Sequence, residues 1–375
     1  MTTVLISGDD FIAPELFFTA LRAEVPTAGL DFRTLRTRWP NEPFGPVGTG
    51  DGSVKEASGT EDQVLEALGD ASVALTQMAP FTARVIREAP HLRFIGVARG
   101  GPVNVDLAAA TAAGIPVTFT PGRNAAAAAE FAVGLILAAM RRIALSDSEL
   151  KKGMWRGDYY AYDNAGLEID GATIGLVGYG AIGAIVARVL RAFGAHVLVS
   201  DPYADPVKAA GDGVELTGLD DLLRRSTVVS LHARVTPETR HILNADNLKL
   251  LPEGAVLVNS ARGDLLDYAP LPGLLESGRL GALALDVYDI EPPPSDWPLH
   301  RAPNVITTPH LAGATRQTAD RAAAITAAEA GRFLRGEPLR HVANTEALAT
   351  GGTRGPLATG DGDGTPTTGG GGASS

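Results

Sequence analysis

The sequence contains no cysteine. That absence excludes a disulfide-stapled scaffold, a thiolate nucleophile and any zinc or iron–sulfur centre held by cysteine, and it fits a reducing compartment. Basic residues are also scarce: 32 Lys and Arg stand against 43 Asp and Glu, a formal net charge of −11. Nucleic acids and anionic membrane surfaces require a basic face, so neither is an expected partner. An anionic small molecule remains admissible, because a single arginine in a pocket works locally against the global sign. Long apolar runs are missing too. The longest uncharged stretch, Gly171 to Ala187, is interrupted by glycines, so no segment reads as a membrane span. The opening MTTVLISGDD has no basic region before its apolar residues and reaches acids by position 9, unlike a secretory signal. A cytoplasmic protein is expected.

What is present is 375 residues of ordinary globular composition, 45% hydrophobic and 20% charged, long enough for two cores. Short β-rich runs (Val4–Ile6, Val73–Thr76, Phe94–Val97, Val117–Phe119) alternate with helical patterns over 61–68, 81–89 and 106–113. A second series follows: Thr173–Val177, His196–Ser200, Val228–Leu231, Val256–Asn259, Ala282–Leu285 and Val305–Thr308. This alternation predicts an α/β protein with parallel sheets wound by helices. Residues 39–60, rich in Gly, Pro and acids, read as a surface excursion. The alanine-rich Asn124–Arg142 predicts a helix buried all round, and Thr315–Leu334 another helix. The segment 347–375 is glycine-rich with almost no large aliphatic side chains, so it is expected to be a disordered tail.

The run Thr173–Val177 leads into Gly178-Tyr179-Gly180-Ala181-Ile182-Gly183. A helical pattern follows, then a strand ending at Asp201. Each part has a physical task in holding a dinucleotide. Gly178 allows the tight turn, Gly180 lets backbone approach a pyrophosphate, and Gly183 lets helix and strand pack closely. The helix N-terminus offers free N–H groups to the phosphates. Asp201 accepts hydrogen bonds from the adenosine ribose and repels a 2′-phosphate, which favours NAD over NADP. Arg188 and Arg191 are expected on the outer surface of the helix.

Three polar residues stand shortly after later strands: Arg262 in SARG, Glu291 in DVYDIEPP and His310 in TPHLAG. Ligands of an open parallel sheet bind beyond the carboxyl ends of its strands, so the three are expected to converge. Their chemistry suits one reaction. Reduction of a ketone makes an alkoxide that needs a proton, which histidine delivers near neutral pH. A carboxylate on that histidine fixes its tautomer and raises its pKa, and an arginine grips a substrate carboxylate with its planar fork.

With GYGAIG and Asp201, VVSLHARVTPETRHIL, GAVLVNSARGDLLD, ALDVYDIEPP and TPHLAG, residues 60–345 resemble the D-isomer-specific 2-hydroxyacid dehydrogenase family. The resemblance implies an NAD-dependent enzyme interconverting a D-2-hydroxy acid and its 2-keto acid. In it Arg262 binds substrate, Glu291 supports the histidine and His310 is the general acid/base. It further places Ala181, Ile182, Asp201, Ala233, Ser260, Asp286 and Gly313 around the cofactor. It implies a Rossmann nucleotide domain over 124–310, inserted into a flavodoxin-like substrate domain made of 1–123 and 311–346, and a homodimer joined through the nucleotide domain.

The substrate loop departs from the family's usual Asp-Asn-Val-Asp ending. Here it reads Gly96-Val97-Ala98-Arg99-Gly100-Gly101-Pro102-Val103-Asn104-Val105-Asp106. The N–H groups of Arg99, Gly100 and Gly101 are candidates to cradle a carboxylate, and Arg99 either meets the substrate or pairs with a nearby acid. Arg234 stands where the family more often has Pro. Trp155, Tyr159, Tyr160 and Tyr162 are expected mainly to pack. No metal site is expected, and no regulatory domain is visible in the sequence after residue 345. Two alternatives remain: formate dehydrogenase, against which Glu291 argues because that enzyme resembles this pattern with Gln there, and a nucleotide-sensing corepressor on the same scaffold.

Overall fold

Runs of four or five apolar residues become strands here because helices cover both faces of each parallel sheet, which removes the usual polar alternation. The computed structural model describes residues 2–48 and 54–349. In chain order the first elements are β1 (Thr2–Gly8), α1 (Pro14–Glu24), β2 (Leu30–Arg36), α2 (Glu61–Leu68), β3 (Val73–Thr76), α3 (Ala83–Glu88), β4 (Phe94–Val97), α4 (Leu107–Ala112) and β5 (Val117–Thr118). They form a five-stranded parallel sheet in the order β2-β1-β3-β4-β5. β3 and β4 are buried along their whole length. A capping box starts α2: Thr60 Oγ1 accepts from Gln63 N at 3.2 Å, and Gln63 Oε1 accepts from Thr60 N at 3.0 Å.

The next elements are α5 (Ala125–Met140), α6 (Ile143–Lys151), β6 (Thr173–Val177), α7 (Ala181–Ala192), β7 (His196–Ser200), α8 (Pro206–Asp212), β8 (Glu215–Leu216), α9 (Leu219–Arg225), β9 (Val228–Leu231), β10 (Ala255–Asn259), α10 (Leu271–Glu276), β11 (Leu280–Leu285) and β12 (Val305–Thr307). Their sheet has seven parallel strands in the order β12-β11-β10-β9-β6-β7-β8. Counted from β6, strand order reverses between β6 and β9, the doubly wound arrangement of a dinucleotide-binding sheet. The last described elements are α11 (Arg316–Leu334) and α12 (Glu346–Ala349). Both sheets are thus parallel and helix-covered, as the alternating pattern predicts.

The chain divides into two compact units. Among the described residues, unit 1 comprises those up to Arg38, those from Gly45 to Thr120 and those from Ala323 onward; unit 2 comprises Trp39–Phe44 and Pro121–Ala322. The return boundary falls inside α11, where the sequence reading sets it at residue 311. Unit 1 is therefore completed by chain that follows unit 2. Asn344 makes the closure specific: its Oδ1 accepts from Val117 N at 2.8 Å and its Nδ2 donates to the Ile115 carbonyl at 3.0 Å. Of the predicted tail, 347–349 end α12 and the remainder lies outside the described residues.

α5 corrects one expectation. It is not buried all round: Ala127, Ala128, Ala132, Ile136 and Ala139 are inside, yet Glu130 and Gly134 are exposed and Phe131 is half-buried. One flank packs on α7, β10 and β11, and on the other Glu130, Phe131 and Gly134 line a cleft with Leu311, Ala312, Ala314 and Thr315 of the same unit.

Candidate active site

The glycine turn sits at the point where strand order reverses in unit 2. Gly178 has φ +102°, and a Cβ there would lie 2.5 Å from Ala233 N, so only glycine fits. A Cβ on Gly183 would strike the Gly178 carbonyl, which is why the helix approaches the turn so closely. Gly180 is the reverse case: a Cβ on it meets nothing within 4 Å. It caps α7 with no side chain occupying the helix N-terminus, and Ala181 and Ile182 begin that first turn. Open space, uncapped N–H groups and a twelve-residue helix form the cradle that a pyrophosphate requires.

Asp201 follows β7 as expected and also has a structural task. Its Oδ2 accepts from Tyr179 N at 2.7 Å, inside the glycine turn, and its Oδ1 accepts from Tyr203 N at 2.9 Å. Each carboxylate oxygen retains capacity for a ribose hydroxyl. Ala233 backs the turn, and Arg188 and Arg191 lie on the exposed side of α7. His232, behind the turn, is 3.0 Å from Ser230 Oγ, and burial pushes its imidazole down to about 4, so it is neutral. The residues present fit a dinucleotide.

Arg262 is carried by the turn after β10. Buried Asn259 shapes that turn: its Oδ1 accepts from Ala261 N at 3.1 Å and its Nδ2 donates to the Arg262 carbonyl at 2.9 Å. Gly263 then packs on the Tyr288 carbonyl, where any side chain would collide. The turn is thereby fixed against the segment that bears Glu291, while the guanidinium is exposed and donates to the Ala261 carbonyl at 2.6 Å.

Glu291 and His310 meet directly. His310 Nδ1 lies 2.8 Å from Glu291 Oε2, and Glu291 Oε1 accepts from Tyr288 N at 3.1 Å. The hydrogen bond to Glu291 raises the imidazole pKa, working against partial burial. Burial alone would raise the Glu291 carboxyl, but the His310 hydrogen bond and charge, the Tyr288 N–H and Arg262 together hold it low. Arg262 also acts electrostatically on His310, so the charges of all three candidates are felt at one place. With Nδ1 engaged, Nε2 is the atom left to exchange a proton.

The backbone of His310 is left-handed, with φ +54°, a conformation rare for a residue with a side chain. Asp286 holds it there. Expected beside the cofactor, Asp286 is fully buried at the end of β11. Its Oδ1 accepts from Thr308 Oγ1 at 2.7 Å and from Leu311 N at 2.8 Å, and its Oδ2 from Ala312 N at 2.9 Å. Tyr288 adds a hydrogen bond to the Thr308 carbonyl at 2.8 Å. Asn259, Tyr288 and the brace made by Asp286 were not anticipated; a polar residue closing a buried apolar run, as in VLVN and ALALD, is the signal for two of them. Ser260 stands in the Arg262 turn, and Gly313 lies close enough to Asn124 that a Cβ would be 3.1 Å from its Nδ2.

In unit 1 the loop after β4 carries Arg99, Gly100 and Gly101. Arg99 Nη2 pairs with Glu56 Oε2 at 2.8 Å, and a Cβ on either glycine meets nothing within 4 Å. The aromatic run corrects another expectation. Trp155, Tyr160 and Tyr162 are 84%, 96% and 95% exposed, so they do not pack within the chain; Tyr159 alone is tied down, through its hydroxyl to Glu149 Oε2 at 2.5 Å.

Residues 133–312 match the model of the D-isomer specific 2-hydroxyacid dehydrogenase NAD binding domain. A glyoxylate reductase of Thermofilum pendens is 39% identical over 267 residues, covering 71% of this chain and 79% of that protein. The chain belongs to the D-isomer specific 2-hydroxyacid dehydrogenase family. Unit 2 holds this family's nucleotide domain, and its cofactor is NAD. A D-3-phosphoglycerate dehydrogenase of Mycobacterium bovis is 40% identical over 277 residues, 74% of this chain but 52% of that protein. The chain thus spans about half the length of such relatives. The crystal structure of the TT0316 protein from Thermus thermophilus superposes with a TM-score of 0.73 at 30% identity, covering 91% of this chain and 100% of that one. Among the described residues no helix is long and apolar enough to cross a membrane.

Proposed function

We propose that the protein is an NAD-dependent oxidoreductase that interconverts a D-2-hydroxy acid and its 2-oxo acid, with His310 as general acid/base. The observation that carries this reading is the 2.8 Å contact of His310 Nδ1 with Glu291 Oε2 beyond the strand ends of the NAD-binding sheet. When held there, the cofactor would supply the hydride for reduction and take it up in oxidation. The Gly178–Gly183 turn and Asp201 hold the nucleotide. Arg262 grips the carboxylate with its fork and polarises the neighbouring carbonyl. In reduction His310 gives its Nε2 proton to the carbonyl oxygen as charge develops there, and in oxidation Nε2 takes the hydroxyl proton. Glu291 stabilises the imidazolium, and Asp286 keeps its loop in place. Unit 1 is the substrate-binding part of this reading, and the bare Trp155, Tyr160 and Tyr162 surface is where a second copy docks.

The test is NADH oxidation with a panel of 2-oxo acids by the wild type and His310→Gln. Turnover by the wild type alone supports the reading. A chain that binds NADH but reduces nothing is a nucleotide sensor, and a variant keeping more than about half of the turnover removes His310 from its role.

A further inference from the structure

The sheet of unit 1 has its own reversal of strand order, between β1 and β3, where an open parallel sheet offers a crevice. Polar residues stand just past the carboxyl ends of adjacent strands at this edge: Asp9 after β1, Gln77 after β3, Arg99 after β4 and Thr120 after β5. Backbone bonds tie these ends together, Gln77 N donating to the Ser7 carbonyl at 3.1 Å and Thr120 N to the Arg99 carbonyl at 2.8 Å. Asn104 reaches the same edge, its Nδ2 donating to the Ala79 carbonyl at 2.8 Å.

Several polar atoms of this edge lack partners. Among the described residues, Gln77 Nε2 and Oε1, Asp9 Oδ2, Asn104 Oδ1 and Thr120 Oγ1 make no hydrogen bond, and all four residues are fully buried. Folded proteins rarely leave so many buried polar atoms unbonded, and several at one strand edge mark a place that a bound molecule completes. Their character defines the molecule. Amide, hydroxyl and carboxyl groups match hydroxyls, which donate and accept alike. A phosphate needs cations, and the Arg99 guanidinium here is already matched by Glu56 at 2.8 Å, while Asp9 adds acid rather than base. Burial raises the Asp9 carboxyl. Protonated, it donates a hydrogen bond to a hydroxyl oxygen; ionised, it accepts one and repels an anion. In the loop after β4, a Cβ on Gly100 or Gly101 would meet nothing within 4 Å.

We infer that this edge selects an unphosphorylated 2-oxo acid bearing several hydroxyl groups, an aldonic-type acid, with Gln77 as the principal specificity residue. The inference rests on the oxidoreductase reading above and adds the substrate class. Sites built to bond a hydroxyl reject analogues that lack it, because their buried polar groups then stay unpaired.

The experiment compares kcat/KM with NADH for pyruvate, a five- or six-carbon polyhydroxylated 2-oxo acid, and phosphohydroxypyruvate. The polyhydroxylated acid should exceed both others by roughly 100-fold. Gln77→Leu should lower its efficiency at least about tenfold more than that of pyruvate, mainly through KM, and Thr120→Val, nearly isosteric, should do the same to a smaller extent. Preference for the phosphorylated acid, or an equal loss with every substrate, overturns the inference and leaves the cluster a water-filled structural feature. Should no 2-oxo acid turn over, the oxidoreductase reading fails by itself. Calorimetry with the matching aldonate then decides this one: binding weakened about tenfold by Gln77→Leu supports it, and no binding, or binding indifferent to Gln77, overturns it.

Discussion

The two sheets end alike and are finished differently at their carboxyl edges. In unit 2 the polar groups are bonded to one another before any ligand arrives: Asp286 to three donors, Asn259 to both sides of the Arg262 turn, Glu291 to His310 and Tyr288. In unit 1 the amide of Gln77 and one oxygen each of Asp9 and Asn104 have no partner among the described residues. Groups that move a proton or steady a charge must hold one geometry throughout a reaction, and neighbouring hydrogen bonds supply that. Groups that recognise a ligand are completed by it. On the proposed reading, one fold class carries a braced edge for chemistry and a second edge that a ligand completes.

The contrast can be broken at several points. His310→Gln should give the largest effect, a fall in kcat of roughly 10²–10⁴-fold with NADH affinity nearly unchanged, read by steady-state kinetics and fluorescence titration. Loss of NADH binding in parallel would mean that the residue supports the fold rather than the reaction. Arg262→Lys keeps the charge and removes the fork, so kcat/KM should drop by at least about tenfold. Free exchange of the two would reduce Arg262 to a point charge.

Asp286→Asn tests the brace itself. Its new NH₂ faces either the Ala312 N–H, or the Leu311 N–H and the Thr308 hydroxyl together, and a buried mismatch of this kind costs about 1–3 kcal/mol. Denaturant unfolding should show that loss, accompanied by lower kcat; unchanged stability would show that the loop holds itself. Asp201→Ala removes the acid beside the ribose position and the bond to Tyr179 N, so efficiency with NADH should fall and the NADH-to-NADPH ratio narrow. A preference for NADPH in the wild type would defeat the assignment.

The smallest effect concerns pH. His310 has a raised pKa and Glu291 a lowered one, so the imidazolium persists above the usual histidine range. Reduction, which needs the proton on His310, should continue into that range and fall as pH passes the raised value. Glu291→Gln removes the cause, moving the alkaline limb of reduction to lower pH and extending oxidation toward acid, by about one pH unit for each 1.36 kcal/mol lost. A fixed alkaline limb would separate Glu291 from His310 in function.

Much of this was legible in sequence. The runs 73–76, 94–97, 173–177, 196–200 and 228–231 are strands with those bounds, because strands buried on both faces leave uninterrupted apolar runs. α1 and β2 were not seen: β2 is an edge strand whose residues are at most half-buried, so its polar LDFRTLR resembles a loop. Glu291 and His310 were recognisable from position, but the partners of Asp286 and Arg99 were not. Those depend on residues 21 to 43 positions away, and no local pattern encodes such a meeting.

Asn344, which closes β5 from more than two hundred residues downstream, bears on how the chain is made. Joining distant segments costs little extra chain entropy, since that cost grows only as the logarithm of their separation. Synthesis is different, because it proceeds in one direction at roughly 5–20 residues per second. Nearly all of unit 2, residues 121–322, emerges from the ribosome as one continuous piece, whereas β1 to β5 must wait for their final strap. The nucleotide unit, second in the chain, is the first that can be completed. For those seconds the first five strands are a sheet without its final strap, and a chain stopped near residue 320 would keep it so.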